Sequence, residues 1–151
     1  MEIQPFVATD YTGVVEALRV EKLDVAFMAP ASYVLAKNEA NVKVVLKSER
    51  KGIPTYYAAI ITRADSGIKT LEDLRGKTFA FGDSLSTTGH VIPRKMFKEH
   101  GIDPVRDFKQ ILYSGGHDAT VLAVLNRKVD AGATYANSPD NEDTAWMRYL
   151  K

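Results

Sequence analysis

The 151-residue chain has no cysteine, a single tryptophan and no apolar run near the roughly 20 residues that span a bilayer. Without thiols there can be no disulfide scaffold, thiolate metal site or cysteine nucleophile. Net charge is nearly absent too: 20 Lys and Arg against 19 Asp and Glu leave +1. Such a balance gives no reason to expect nucleic acid or an acidic membrane surface as partner. The densest basic group, Lys47-Ser48-Glu49-Arg50-Lys51, reads as a solvated loop because Glu49 interrupts it. His90, His100 and His117 show no metal-ligand spacing and no carboxylate cluster, so neither a metal nor a cofactor is expected. The opening residues, Met1-Glu2-Ile3-Gln4-Pro5, lack a basic region and an apolar core. The expectation is that this chain carries no signal peptide.

What is present is a globular composition, 45% hydrophobic and 26% charged, enough for one domain or two small lobes. Short apolar runs at residues 7–9, 24–28 and 42–46 read as strands, and the helical periodicity of Val14, Val15 and Leu18 and the segment 31–37 fall between them. That alternation points to a parallel sheet covered by helices, with Tyr33 in its core. The run 56–62 is the longest strand signal. A short helix at 70–75 follows, with Thr70 and Asp73 as a capping box. Further strands are expected at 78–81, 108–113 and 130–135, and Asp118 is expected to cap a helix bearing Val121, Leu122, Val124 and Leu125. Pro93 requires the helix after residue 89 either to begin near His90 or to have irregular first turns.

Two turns carry the chemistry. Gly82-Asp83-Ser84-Leu85-Ser86-Thr87-Thr88-Gly89 lies between a strand and a helix, where unpaired N–H groups and the helix dipole make an anion site. The hydroxyls of Ser86, Thr87 and Thr88 add donors for a tetrahedral oxyanion; the plainer reading is a helix cap, which needs only one of them. His117 follows Gly115-Gly116 at an equivalent strand-to-helix position. Ligands of parallel sheets bind at the carboxyl edge, so the two turns are expected to be neighbours. The plainer reading of His117 is a residue that caps its own turn. Tyr11 opens a helix and Tyr56 precedes a strand; each could equally be a half-buried aromatic. An enzyme would pair Ser86 or Thr87 with His117, but no Gly-x-Ser-x-Gly elbow surrounds these serines, so catalysis is not expected.

Asp83 to Gly89 followed by Pro93, then Gly115-Gly116-His117-Asp118 and Val129-Asp130-Ala131-Gly132, resemble the substrate-binding proteins of phosphonate, phosphite and phosphate ATP-binding-cassette importers. Asp24 to Pro30 with Tyr33, and Tyr56 ahead of Asp65-Ser66-Gly67 and Leu71 to Gly76, match the same family in order. The resemblance implies an α/β type II periplasmic-binding-protein fold with two lobes joined by two crossover strands. Residues 1–61 would be a partial first lobe, 62–136 the second lobe, and 137–151 a return segment toward the first. It further implies a phosphorus oxyanion held by Ser86, Thr87, Thr88 and His117, with Tyr11 and Tyr56 from the other lobe. Asn137 stands where relatives that bind an aminoalkyl phosphonate place an acidic residue. The implied partner is a transporter permease, and the implied setting is the periplasm or a cell-surface lipoprotein. A ligand-sensing input domain of the same fold, and a fragment that binds nothing, are the alternatives. The first lobe lacks segments of the family pattern, so the chain reads as a fragment or as one completed by a second copy.

Overall fold

The computed structural model describes residues 2–50, 52–138 and 143–149. In chain order its main elements are α1 (Tyr11–Arg19), α2 (Pro30–Ala40), β1 (Tyr57–Thr62), β2 (Thr78–Phe81), α3 (Ile92–Glu99), α4 (Pro104–Asp107), β3 (Gln110–Tyr113), α5 (His117–Leu125) and β4 (Ala131–Ala136). One mixed sheet takes the order β1-β4-β2-β3. β2 runs parallel to β3 and β4, while β1 pairs antiparallel with β4, from Tyr57 opposite Ala136 to Thr62 opposite Ala131. Parallel neighbours require crossovers, supplied here by α3 with α4 and by α5.

β2 is central and apolar on both faces, as a covered parallel strand must be. Phe79, Ala80 and Phe81 are fully buried. The Phe79 ring lies 4.9 Å from Phe81 and 5.3 Å from both Phe97 and Phe108. Each such phenylalanine contributes about 1.5–3 kcal/mol by leaving water, so this cluster dominates the core. The other face is thinner. A Cβ at Gly132 would stand 2.5 Å from Thr120 Cγ2, so only glycine lets α5 lie this close to the sheet.

The amino-terminal third departs from the sequence pattern. Strands were expected at 7–9, 24–28 and 42–46, and no strand forms in any of them. Val7, Val25, Val45 and Leu46 are each at least 81% exposed. A β-branched run supplies propensity, but a strand is stabilised by its neighbour across the ladder, and these runs have none. The helices do form. Asp10 Oδ1 accepts from Gly13 N at 2.7 Å to cap α1, Pro30 opens α2, and the two helices pack together. Tyr33, expected in a core, is only half-buried. The described architecture is therefore α/β with one sheet, in residues 57–136.

Two smaller expectations change as well. Thr70 and Asp73 make the reciprocal capping bonds, Thr70 N to Asp73 Oδ2 at 2.8 Å and Asp73 N to Thr70 Oγ1 at 3.4 Å. They cap only a single 3₁₀ turn, Glu72–Leu74, because Gly76 turns the chain at φ 72°. Asp118 does not cap α5; Gly116 holds that position without a side-chain bond. The expected return segment 137–151 lies partly outside the described residues. Its part 143–149 folds back along β4, with Ala145 N donating to Tyr135 O at 3.3 Å.

Candidate functional site

After β2 the chain folds back onto itself. Gly82 N donates to Gly89 O at 2.9 Å, and a Cβ on Gly89 would meet Gly82 Cα at 3.3 Å and Ser86 Oγ at 2.9 Å. Pro93 explains why that carbonyl is available. A proline has no N–H to return to residue 89, so the acceptor passes to Gly82. The irregular first turns follow: Thr87–Val91 is a π turn, with His90 N and Val91 N both donating to Ser86 O. Ser86 caps it, its Oγ accepting from Gly89 N at 3.0 Å.

The turn also gathers other helix starts. Asp83 Oδ2 accepts from Tyr11 N at 3.1 Å, at the head of α1. Thr87 Oγ1 accepts from Ala31 N at 2.9 Å, at the head of α2. Across the sheet edge, Ser114 Oγ donates to Phe81 O at 3.0 Å and ties the end of β3 to the end of β2. α5 starts just beyond, at His117. Four helix starts thus meet around one cleft, and each carries partial positive charge.

The open cleft has a volume of about 560 Å³. Of the seven residues singled out from the sequence, Tyr11, Tyr56, Ser86, Thr87, Thr88 and His117 line it. Asn137 does not. It lines a neighbouring hollow, where its Oδ1 accepts from Arg50 Nη1 at 3.2 Å.

His117 Nδ1 lies 3.1 Å from Thr134 Oγ1, and its ring meets Tyr135 edge-on at 4.9 Å. Burial lowers its pKa; Asp118 opposes that shift and Arg50 adds to it. The imidazole is therefore neutral at pH 7, with Nε2 left for a ligand. Burial, then Asp83 and Tyr56, push the Tyr11 hydroxyl pKa up, which keeps it a hydrogen-bond donor. Neither Ser86 nor Thr87 pairs with His117: the imidazole Nδ1 lies against the buried Thr134, while Ser86 Oγ and Thr87 Oγ1 accept from Gly89 N and Ala31 N and keep their O–H groups to donate. His90 serves the back of the turn, its Nδ1 2.7 Å from Ser84 O and its Nε2 3.2 Å from Tyr113 Oη. Among the described residues no group of His, Asp or Glu is placed to hold a metal ion.

Sequence reasoning missed Arg50, Lys47, Ser32 and Tyr135, all of which line the cleft. The group 47–51 was expected to be a solvated loop, and residues 47–50 are exposed and outside any helix or strand. Within that loop Arg50 is anchored by a tight turn, exchanging N–H to O bonds with Ile53 at 3.0 and 2.9 Å across Gly52, whose φ is 77°. Its guanidinium sits 5.8 Å from the Tyr56 ring centroid and 5.9 Å from that of Tyr135. No local pattern in the sequence shows that this turn brings Arg50 to the cleft.

Residues 1–147 match the family described as ABC transporter, phosphonate, periplasmic substrate-binding protein. The chain is 32% identical over its whole length to the phosphonates-binding periplasmic protein of Escherichia coli, covering 46% of that protein. It is 35% identical over 88% of its length to the phosphate-import protein PhnD of Mycolicibacterium smegmatis, covering 44% of it. The binding protein component of an ABC phosphonate transporter from Pseudomonas aeruginosa superposes with a TM-score of 0.77 at 30% identity, over 88% of this chain and 46% of that one. The chain spans less than half the length of these curated relatives.

Proposed function

Because this chain belongs to the phosphonate family of ABC-transporter periplasmic substrate-binding proteins, a family of solute binders rather than enzymes, we propose that its cleft holds a tetrahedral phosphorus oxyanion for import. The ligand is a phosphonate, phosphite or phosphate. The observation that carries this reading is the convergence of Ser86, Thr87 and Thr88 at a helix start with His117, Tyr11 and Tyr56 around one cleft. Ser86–Thr88 and His117 bind the oxyanion from the sheet side, and Tyr11 and Tyr56 meet it from the side of α1 and α2. In this reading residues 1–61 are part of a first lobe, 62–136 are the second, and 137–151 return toward the first. Contacts made to both sides favour closure over the ligand. Delivery is to a transporter permease, in the periplasm where the relatives work. The likeness to these relatives lends no support to completion by a second copy.

No strong cation is required next to the phosphorus. Hydrogen bonds to a charged group contribute about 1.5–3 kcal/mol each. Three or four, less the ordering cost, reach about −8 kcal/mol, or micromolar affinity. Titration calorimetry with methylphosphonate, phosphite and phosphate tests the proposal. Saturable binding of at least one without turnover supports it; a folded chain that binds none of them refutes it.

A further inference from the structure

The charged side chains described in the cleft wall are of one sign. Among the described residues lining it there are two cations, Lys47 and Arg50, and no aspartate or glutamate. Arg50 is an exposed residue over Tyr56 and Tyr135, the second ring also meeting His117 at 4.9 Å, and against Asn137, at the boundary between the cleft and the next hollow. Asp143 and Arg148 also line that hollow, and Arg148 Nη1 lies 3.9 Å from Asp118 Oδ2. The two rings and the Asn137 carbonyl hold the guanidinium plane, while a planar fork keeps further N–H donors for a second group.

We propose that Arg50 forms a second anion subsite in this cleft, so that the ligand is a phosphonate carrying a carboxylate on a short carbon chain. The inference rests on the oxyanion site proposed above and adds the far end of the same ligand. The hydroxyl turn takes the phosphonate, and the carboxylate lies against Arg50. A charge-assisted, bidentate pair is the strongest polar contact this wall can offer. A ligand amine at the same place meets a cation of its own sign with no described carboxylate lining the cleft to balance it. Asn137 then acts as a positioning residue, holding Nη1 of Arg50 rather than touching ligand.

Calorimetry of the chain with ethylphosphonate, phosphonoacetate and 2-aminoethylphosphonate tests this. Phosphonoacetate is expected to bind at least roughly tenfold tighter than ethylphosphonate, and the amine no tighter than ethylphosphonate. R50Q should bring the ratio of phosphonoacetate to ethylphosphonate affinity close to one, and R50K should restore part of it. Equal affinities in the unsubstituted chain, or a ratio that survives R50Q, overturn the subsite. A ratio that collapses in K47Q instead moves it off Arg50 and overturns the assignment. Failure of ethylphosphonate and phosphonoacetate alike to bind would remove the oxyanion site itself, and this inference with it.

Discussion

Replacing His117 with alanine tests the site at its most informative point. On the binding mode proposed above, the variant removes one donor to a charged ligand, worth about 1.5–3 kcal/mol, so affinity should fall about 10- to 150-fold. The pH dependence separates this from a merely structural loss. Burial, aided by Arg50 and opposed by Asp118, holds the folded imidazole pKa below its ordinary value near 6.5. In the free protein the unfolded chain therefore takes up the proton first on acidification. Stability from His117 is complete above about pH 6.5 and is lost as pH falls through the folded value. Ligand binding has the opposite sign. An anion beside the ring raises its pKa, binding takes up a proton, and affinity gains as pH falls through the same window. The ligand's own titration is common to both proteins, so the ratio of wild-type to H117A affinity isolates the histidine. That ratio, measured by calorimetry from pH 7.5 to 5.5, should rise on acidification while the melting temperature of the free wild type falls relative to H117A. A folded H117A with unchanged affinity, or a ratio flat with pH, would refute the reasoning.

Two further outcomes follow from the scaffold. Asp130 Oδ2 accepts from Thr78 N at 2.8 Å and Thr78 Oγ1 at 2.7 Å, and those bonds hold its carboxyl below the usual range. D130A should cost about 1–2 kcal/mol after allowing for partial exposure. The effect is present above about pH 4 and fades as pH falls through the folded pKa, which urea melts across pH 2–7 would follow. G89A places a methyl group 2.9 Å from Ser86 Oγ and 3.3 Å from Gly82 Cα. It should cost about 1–3 kcal/mol in thermal melts and weaken phosphonate binding together with stability; full affinity would show that the turn tolerates opening.

The sheet was legible where strands could announce both their pattern and their partners. Phe79 to Phe81 is apolar on both faces because β2 is central, and Ala58 to Ile61 is an unbroken apolar run whose residues are all partly buried although β1 is an edge strand. Residues 24–28 and 42–46 read equally well but stay unpaired, since propensity does not supply a neighbour. The hydroxyl turn was legible because strand, glycine, hydroxyls and helix follow one another in sequence. Arg50 was not, because its role depends on two rings, Tyr56 and Tyr135, that only the fold brings to it. Asn137 was placed by analogy of position, and the fold puts Arg50 between it and the cleft.

The back-folded turn between Gly82 and Pro93 has a consequence for how such a sequence can vary. Most surface connections absorb insertions and deletions with little effect. Here the span is closed at both ends, by the Gly82–Gly89 bond and by the proline that frees the Gly89 carbonyl. One residue more or fewer between Gly82 and Ser86 would break the match between the Gly82–Gly89 bond and the Ser86 cap, and would shift the three hydroxyls relative to the cleft. Point changes at Ser84 or Leu85 leave that count intact. The segment is therefore permissive in spelling and fixed in length.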